Sequence, residues 1–346
     1  MKISVIICTR NHCLSLNQTL LKLDSVQIPA GLQVELIVVD NGSVDNTHSV
    51  ACAAREHWPT DNYVFEQVAG LAAARNSGLA AASGEIIVFT DDDVRPDVGW
   101  LSELLPPIVN GRFDAVTGAI RLAPNLTRTW MLPFHRKMLA STEGIDSANL
   151  EELVGANMAF HRRVLQNIPA FDPELGAGRL GFCEESLFSY QLKQAGYSID
   201  FSPNASIEHH FEASRLTRES FLARAAGQGR SDAYISHHWR HLQYPDAWRR
   251  LLRLKTRFWL ERLIHRHELE SSEGCAEWEM NRVENISGLD QFLKESLRPR
   301  AYELRGLRKL TSQPIPSATA SDPQNQLPAN PPVVPSSLSG RRIHGK

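Results

Sequence analysis

Three adjacent carboxylates, Asp91, Asp92 and Asp93, follow Thr90 at the end of the apolar run Ile86 to Phe89. Crowded acids repel one another strongly in a poorly solvated pocket, so such a triplet calls for water or a cation. Hard oxygen ligands at a strand end suit Mg2+ or Mn2+, which leave coordination positions for water and substrate phosphate. The plainer alternative is a solvated acidic turn that caps the following helix. Asp40 closes another apolar run, Leu36 to Val39, and opens Asn41-Gly42-Ser43-x-Asp45-Asn46. That turn can cap a helix, or its acid can accept hydrogen bonds from a nucleoside base or ribose. Glu184-Glu185 stands at a predicted helix start, where carboxylates either complement the helix dipole or, buried beside a metal-diphosphate site, act as a general base. His209-His210 ends a strand-like stretch from Ile199, as a packing residue or as a nitrogen ligand.

These residues need a scaffold that brings strand ends together. Ile3 to Cys8, Leu36 to Val39, Tyr63 to Glu66 and Ile86 to Phe89 read as strands. Between them, Cys13 to Leu23, Asp45 to His57 and Gly70 to Ala82 have the length of crossover helices. The alternation predicts a parallel α/β sheet, and ligands of such sheets bind beyond the carboxyl ends of the strands. Thr9-Arg10-Asn11, Asp40 to Ser43 and Asp91 to Asp93 should therefore meet on one rim. A further helix is expected over Asp97 to Val109 and a strand over 114–121, while 122–150 resists assignment.

Composition narrows the class. The chain has 346 residues, 42% of them apolar, and a net charge of −2. That excludes a disordered chain and fits one large or two ordinary domains. No run approaches the roughly 18 to 20 apolar residues of a spanning helix, and no signal-peptide pattern follows the N-terminus. Five cysteines, odd in number and without a C-x-x-C pair, argue against a disulfide framework or a zinc site. A cytoplasmic protein with reduced thiols is expected.

The charge is unevenly placed. Residues 1–214 carry 15 basic and 25 acidic side chains, residues 215–310 carry 19 and 13, and residues 311–346 carry 3 and 1. The middle region reads as mostly helical. Within it, Trp248 to Ile264 interleaves apolar residues with arginines, which suits either a helix packed on its own domain or one lying on an anionic membrane surface. Residues 311–346 hold 7 of the 19 prolines and no aromatic residue, as expected of a disordered tail.

The ordered motifs Val5-Ile6-Ile7-Cys8-Thr9-Arg10-Asn11, Leu36 to Ser43, Ala74-Arg75-Asn76-x-Gly78, the acidic triplet, Gly155 to Phe160, Phe171-Asp172 and Glu184-Glu185 together resemble the family 2 glycosyltransferases. The resemblance runs from Ile3 to about His210. It implies a GT-A fold over a domain at 1–214, with a nucleotide-sugar-binding sheet (donor half to about 121) merged with an acceptor-binding half after it, while charge and composition set off 215–310 as a helical basic extension and 311–346 as the tail. It further implies an inverting, metal-dependent transfer from a nucleotide diphosphate sugar, a UDP-sugar in the favoured reading, to a glycan or lipid-linked hydroxyl, in polysaccharide or glycoconjugate synthesis. By position, Thr9, Arg10, Asn11, Asp40, Arg75 and Asn76 would contact the nucleotide, and Asp91 and Asp92 the ribose and diphosphate. Asp93, with His209 and Asp91, would hold Mn2+ or Mg2+. Gly155, Ala156 and Asn157 would lie under the donor sugar, and Glu185 would be the base, with Glu184 the second candidate because relatives often have Glu-Asp here. Leu187 stands where relatives often have an acid, and Cys8 where proline is frequent.

Other classes fit less well. A haloacid dehalogenase-type phosphatase wants its nucleophilic aspartate near the first strand, a nicotinamide dehydrogenase wants G-x-G-x-x-G there, and a nucleotidyltransferase wants a Gly-rich basic loop at residues 8–20. A sugar-nucleotide-binding scaffold without turnover is the non-enzymatic alternative, disfavoured by the retained acids. No nucleic-acid partner and no integral membrane segment are expected. The basic middle region is the place for a peripheral contact with anionic membrane.

Overall fold

The apolar runs become the central strands of one mixed sheet. A computed structural model describes residues 1–53, 61–143 and 152–310. In chain order the elements are β1 (Lys2–Thr9), α1 (Cys13–Leu23), β2 (Gln33–Asp40), α2 (Thr47–Ala51), β3 (Asp61–Phe65), α3 (Leu71–Ala81), β4 (Ile86–Asp91), β5 (Val94–Pro96), α4 (Trp100–Leu104), α5 (Pro106–Val109), β6 (Ala115–Leu122), α6 (Pro133–Met138), β7 (Asn157–His161), α7 (Glu184–Gln194), β8 (Ile199–His209), α8 (Arg218–His238), α9 (Ala247–Ile264) and α10 (Glu277–Glu295). The sheet order is β3-β2-β1-β4-β7-β6-β8-β5. Strands β3, β2, β1 and β4 are parallel, and β7 then runs antiparallel to β4.

The order reverses between β1 and β4, which makes their carboxyl ends a topological switch point. Register aligns the candidate residues there: Thr9 lies opposite Asp40, and Cys8 opposite Asp91. Alternation along the strands divides the core between two faces. Ile3, Val5, Ile7, Ile86 and Val88 pack with Leu16 and Leu20 of α1 and Trp100 of α4. Ile6, Ile87 and Phe89 pack with Ala72 and Ala74 of α3 and Phe188 of α7. Both faces are buried, so these strands need the continuous apolar runs they have.

Two expectations change in detail. The predicted helix over Asp97 to Val109 is broken into α4 and α5 at Leu105, because Pro106 has no N–H to continue the ladder. Within 122–150, the described part contains a short 3-10 turn at Pro124–Leu126 and α6, and 144–150 lies outside the described residues. The expected Asp45 to His57 helix is shorter, spanning Thr47–Ala51, with its last positions 54–57 and the expected tail over 311–346 outside the described residues.

The region after 215 is helical and returns to the sheet domain. Helix α8 packs closely on α10, where a Cβ added to Gly229 would come within 2.0 Å of the Glu284 carbonyl oxygen. Asp172 supplies a buried anchor between the two regions. Its carboxylate accepts from Tyr234 Oη and Tyr302 Oη, each at 2.7 Å, and pairs with Lys309 Nζ at 2.6 Å.

Candidate functional site

At the carboxyl end of β4 the chain turns through Asp91, Asp92 and Asp93 and pairs, through β5, with β8, which delivers His209. Val94 lies opposite His209 in that ladder. One ligand atom from each of Asp91, Asp93 and His209 lies within 4.8 Å of the others. His209 Nδ1 is 3.0 Å from the Leu139 carbonyl, to which it donates, so in the neutral ring Nε2 carries the lone pair; burial lowers the His209 pKa, but the Asp93 carboxylate outweighs it and raises it. Nε2 is buried without a hydrogen-bond partner and stands 3.2 Å from Asp93 Oδ1. An orphaned imidazole nitrogen facing two carboxylates is a donor set that fits a divalent cation. Burial, then Asp93, pushes the Asp91 carboxyl up to about 6. Burial acts on Asp93 too, but His209 and Arg215 hold it below the usual carboxylate range.

Asp92 is committed elsewhere. It accepts from Thr9 Oγ1 at 2.5 Å and faces His12 Nδ1 at 3.3 Å, a contact that raises the His12 pKa. Asn11 adopts a left-handed φ of 56°, which asparagine tolerates, and ties two loops together: its N–H donates to Ser43 Oγ and its side-chain oxygen accepts from Val44 N–H. Arg10 is exposed beside it. Asp40, buried at the end of β2, accepts from Ser43 N–H and from Tyr63 Oη at 2.8 Å.

A second cluster surrounds Arg75, which α3 buries beneath the sheet end. Its guanidinium pairs with Glu184 at 2.7 Å and lies over the rings of Phe89 and Phe171. Gly155 makes room for it, because a Cβ there would fall 2.0 Å from Arg75 Nη2. Cys183, in a left-handed conformation with φ 71°, starts α7 and places Glu184 and Glu185 in its first turn. Glu185 Oε2 is 4.0 Å from Arg75. The Glu185 side chain keeps 23% of its surface, yet Oε2 itself is sealed from solvent with no hydrogen-bond partner. Burial, reinforced by Glu184, pushes its carboxyl up to about 8.

Thr9 and the three acids thus meet His209 on one rim, and Arg75, Gly155, Glu184 and Glu185 form a neighbouring cluster. The amides of Asn76 and Asn157 face inward instead. Asn76 brackets the Phe171 backbone from both sides. Asn157 accepts from Trp100 Nε1 and donates to the carbonyls of Ala119 and Ala205, and Ala156 offers its carbonyl to Thr90. Asn157 and Ala156 tie strands together under the rim, and Asn76 fixes the Phe171 loop to α3. Sequence reasoning missed two basic side chains there: His12, which faces Asp92, and Arg215, whose Nη2 is 3.5 Å from Asp93. Neither belongs to a recurring pattern, and only the rise in basic residues after 214 hinted at Arg215.

Residues 4–168, just under half of the chain, match the family description Glycosyl transferase family 2. Glycosyltransferase AglE of Haloferax volcanii is 27% identical over 202 residues, 58% of this chain and 64% of that protein. Dolichol-phosphate mannosyltransferase of Pyrococcus furiosus is 30% identical over 140 residues, covering 40% and 38%. The match thus spans less than two thirds of either relative. Among solved structures, the mannosyltransferase PcManGT from Pyrobaculum calidifontis in complex with GDP-Man and Mn2+ superposes with a TM-score of 0.54 over 84% of this chain and 86% of that one, at 18% identity. The likeness shows a shared GT-A fold.

Among the described residues no helix is long and apolar enough to cross a membrane. All five cysteines are free thiols.

Proposed function

We propose that the chain is an inverting, metal-dependent glycosyltransferase that moves a sugar from a nucleotide diphosphate sugar, UDP-linked in the favoured reading, to a hydroxyl of a glycan or lipid-linked acceptor. The observation that carries this reading is the donor set of Asp91, Asp93 and the orphaned His209 Nε2 at the switch point of the sheet. In this reading residues 1–121 supply the donor half and 122–214 the acceptor half. Thr9, Arg10, Asn11 and Asp40 line the nucleoside end, and Asp92 stays with Thr9 and His12. Asp93, His209 and Asp91 would hold Mn2+ or Mg2+, which when bound offsets charge on the departing diphosphate.

Glu185 is the base. Its carboxylate takes the proton of the acceptor hydroxyl, the freed oxygen forms the new bond to the anomeric carbon from the opposite side, and the bond from that carbon to the diphosphate oxygen breaks, releasing nucleoside diphosphate. A pKa near the working pH is what general-base transfer favours. Glu184 is less suited, because its carboxylate is held by Arg75. The reading assigns it to positioning Arg75 and the start of α7.

The test is direct. Glu185→Gln should bind UDP or another donor nucleotide within about threefold of wild type and lose roughly 10²- to 10⁴-fold in transfer rate, the range expected for a general base. Asp93→Ala should lose both divalent-cation-dependent donor binding and transfer. Wild-type rates in either variant, or unchanged transfer after chelation, would refute the assignment.

A further inference from the structure

Helix α9 carries two apolar stripes, and among the described residues only one packs against the rest of the protein. Leu251, Leu254 and Phe258 turn toward the body of the protein, where Glu261 pairs with Arg282 of α10 at 2.7 Å and Phe258 stands beside Trp278. At about 100° per residue, Trp248, Leu252, Trp259 and Leu263 share a different arc about 60° wide. All four are exposed, at 57%, 61%, 62% and 56%. Leu260 and Ile264, at 48% and 73%, widen the patch. So many large apolar side chains on one helix face are unusual for a surface that meets only water.

The charges around that stripe select its partner. Within Ala247–Ile264 there are six Arg or Lys residues and a single acid, Glu261. Glu261 is already engaged by Arg257 and Arg282. Arg250, Arg253, Lys255 and Arg262 pair with no carboxylate among the described residues. Arg249 lies over the Trp248 ring at 5.1 Å, and Arg262 over Phe258 at 5.7 Å. Long cationic side chains flanking an aromatic and leucine stripe can keep their heads in a polar layer while the stripe enters an apolar one. A second protein surface would need carboxylates and a dry pocket set together, whereas a bilayer with anionic headgroups offers both layers everywhere.

We propose that α9 docks the protein flat on an anionic lipid surface, with Trp248, Leu252, Trp259 and Leu263 inserted among the acyl chains and the surrounding arginines on the headgroups. The helix is about 27 Å long at 1.5 Å per residue and lies in the interface without crossing it. Such docking would bring the site to acceptors anchored in the same membrane. The inference stands apart from the transfer chemistry, because attachment is read with no donor present.

The experiment is vesicle flotation of the full chain at 0.1 M salt. Phosphatidylcholine vesicles containing about a third phosphatidylglycerol should carry the protein up, and pure phosphatidylcholine should carry roughly tenfold less, with 0.5 M salt weakening the anionic case. Trp248→Ser with Trp259→Ser should lower binding about tenfold or more. Arg250→Glu with Arg253→Glu should lower it on anionic vesicles. Trp259→Phe, which keeps an apolar ring, should retain it, and melting curves should confirm that each variant is folded. No flotation by the wild-type chain, or binding indifferent to the stripe, would overturn the proposal. So would a vesicle-blind protein whose Trp259→Ser variant loses dimerisation in sedimentation, since the stripe would then be a self-association face. A chain that floats but transfers no sugar refutes the proposed function and leaves this inference intact.

Discussion

Glu185 costs the fold stability in return for a basic carboxylate. Burial and Glu184 raise its pKa to about 8 from an ordinary value of 4.5. Between those values the folded chain holds a proton that the unfolded chain releases, so this residue's contribution falls as pH rises through the window. Glu185→Gln should therefore be the more stable protein at pH 8, by about 1–2 kcal/mol after allowance for the partly exposed side chain, and should match wild type near pH 4. Urea titrations at both pH values check this; equal stabilities at pH 8 would mean the carboxyl is not perturbed. The same group predicts a transfer rate whose rising limb lies well above the ordinary carboxylate range. Single residues differed in how readable they were. Asp91 and Asp93 follow an apolar run and so announce a strand-end cluster, while His209 ends only a strand-like stretch. Asn157 stood in a recognisable motif, but its partners, Ala119, Ala205 and Trp100, come from segments that nothing in the local sequence links to it.

At the scale of elements, β1, β2 and β4 were legible because strands buried on both faces must be written as unbroken apolar runs. Strand β5 was not, since its three residues, Val94–Pro96, are too few for any period to show. The antiparallel insertion of β7 beside β4 was also hidden, because pairing direction is set by the path of the chain. The contact of α8 with α10 is a glycine-dependent approach that the sequence marks only by Gly229 and Gly288. Gly229→Ala would gain about 1 kcal/mol of helix propensity in isolation. Here it should instead destabilise by about 1–3 kcal/mol, because the new methyl meets the backbone of α10. A variant as stable as wild type in urea would show that the helices are farther apart than described.

For the whole molecule, the uneven charge set an acidic front apart from a basic region after residue 214. It did not reveal which stripe of α9 packs, because Leu251 and Leu252 look alike until a neighbour chooses one. Nor did it reveal how the basic region is fastened. Asp172, at the end of the Phe171-Asp172 motif, is that fastening: its carboxylate is wholly buried among Tyr234, Tyr302 and Lys309. Asp172→Ala should cost about 1–3 kcal/mol by leaving the buried Tyr234 and Tyr302 hydroxyls without their acceptor. Asp172→Asn, which keeps an acceptor for the tyrosines, should cost less. Urea unfolding with hydrogen exchange at Tyr234 and Tyr302 checks both, and a loss under about 1 kcal/mol in the alanine variant would remove the anchor from this account.

That anchor also orders events in time. Phe171 packs beneath Arg75, so the floor of the site is continuous with a carboxylate whose partners include Tyr302 and Lys309. A chain emerging from the ribosome carries every candidate site residue once His209 has been made. Asp172 nevertheless waits for about a hundred further residues before its charge is answered. The centre thus lacks part of its support until residue 309 has been made, and a fragment cut at 214 would contain the acids and His209 without Arg215 beside Asp93 or the partners of Asp172.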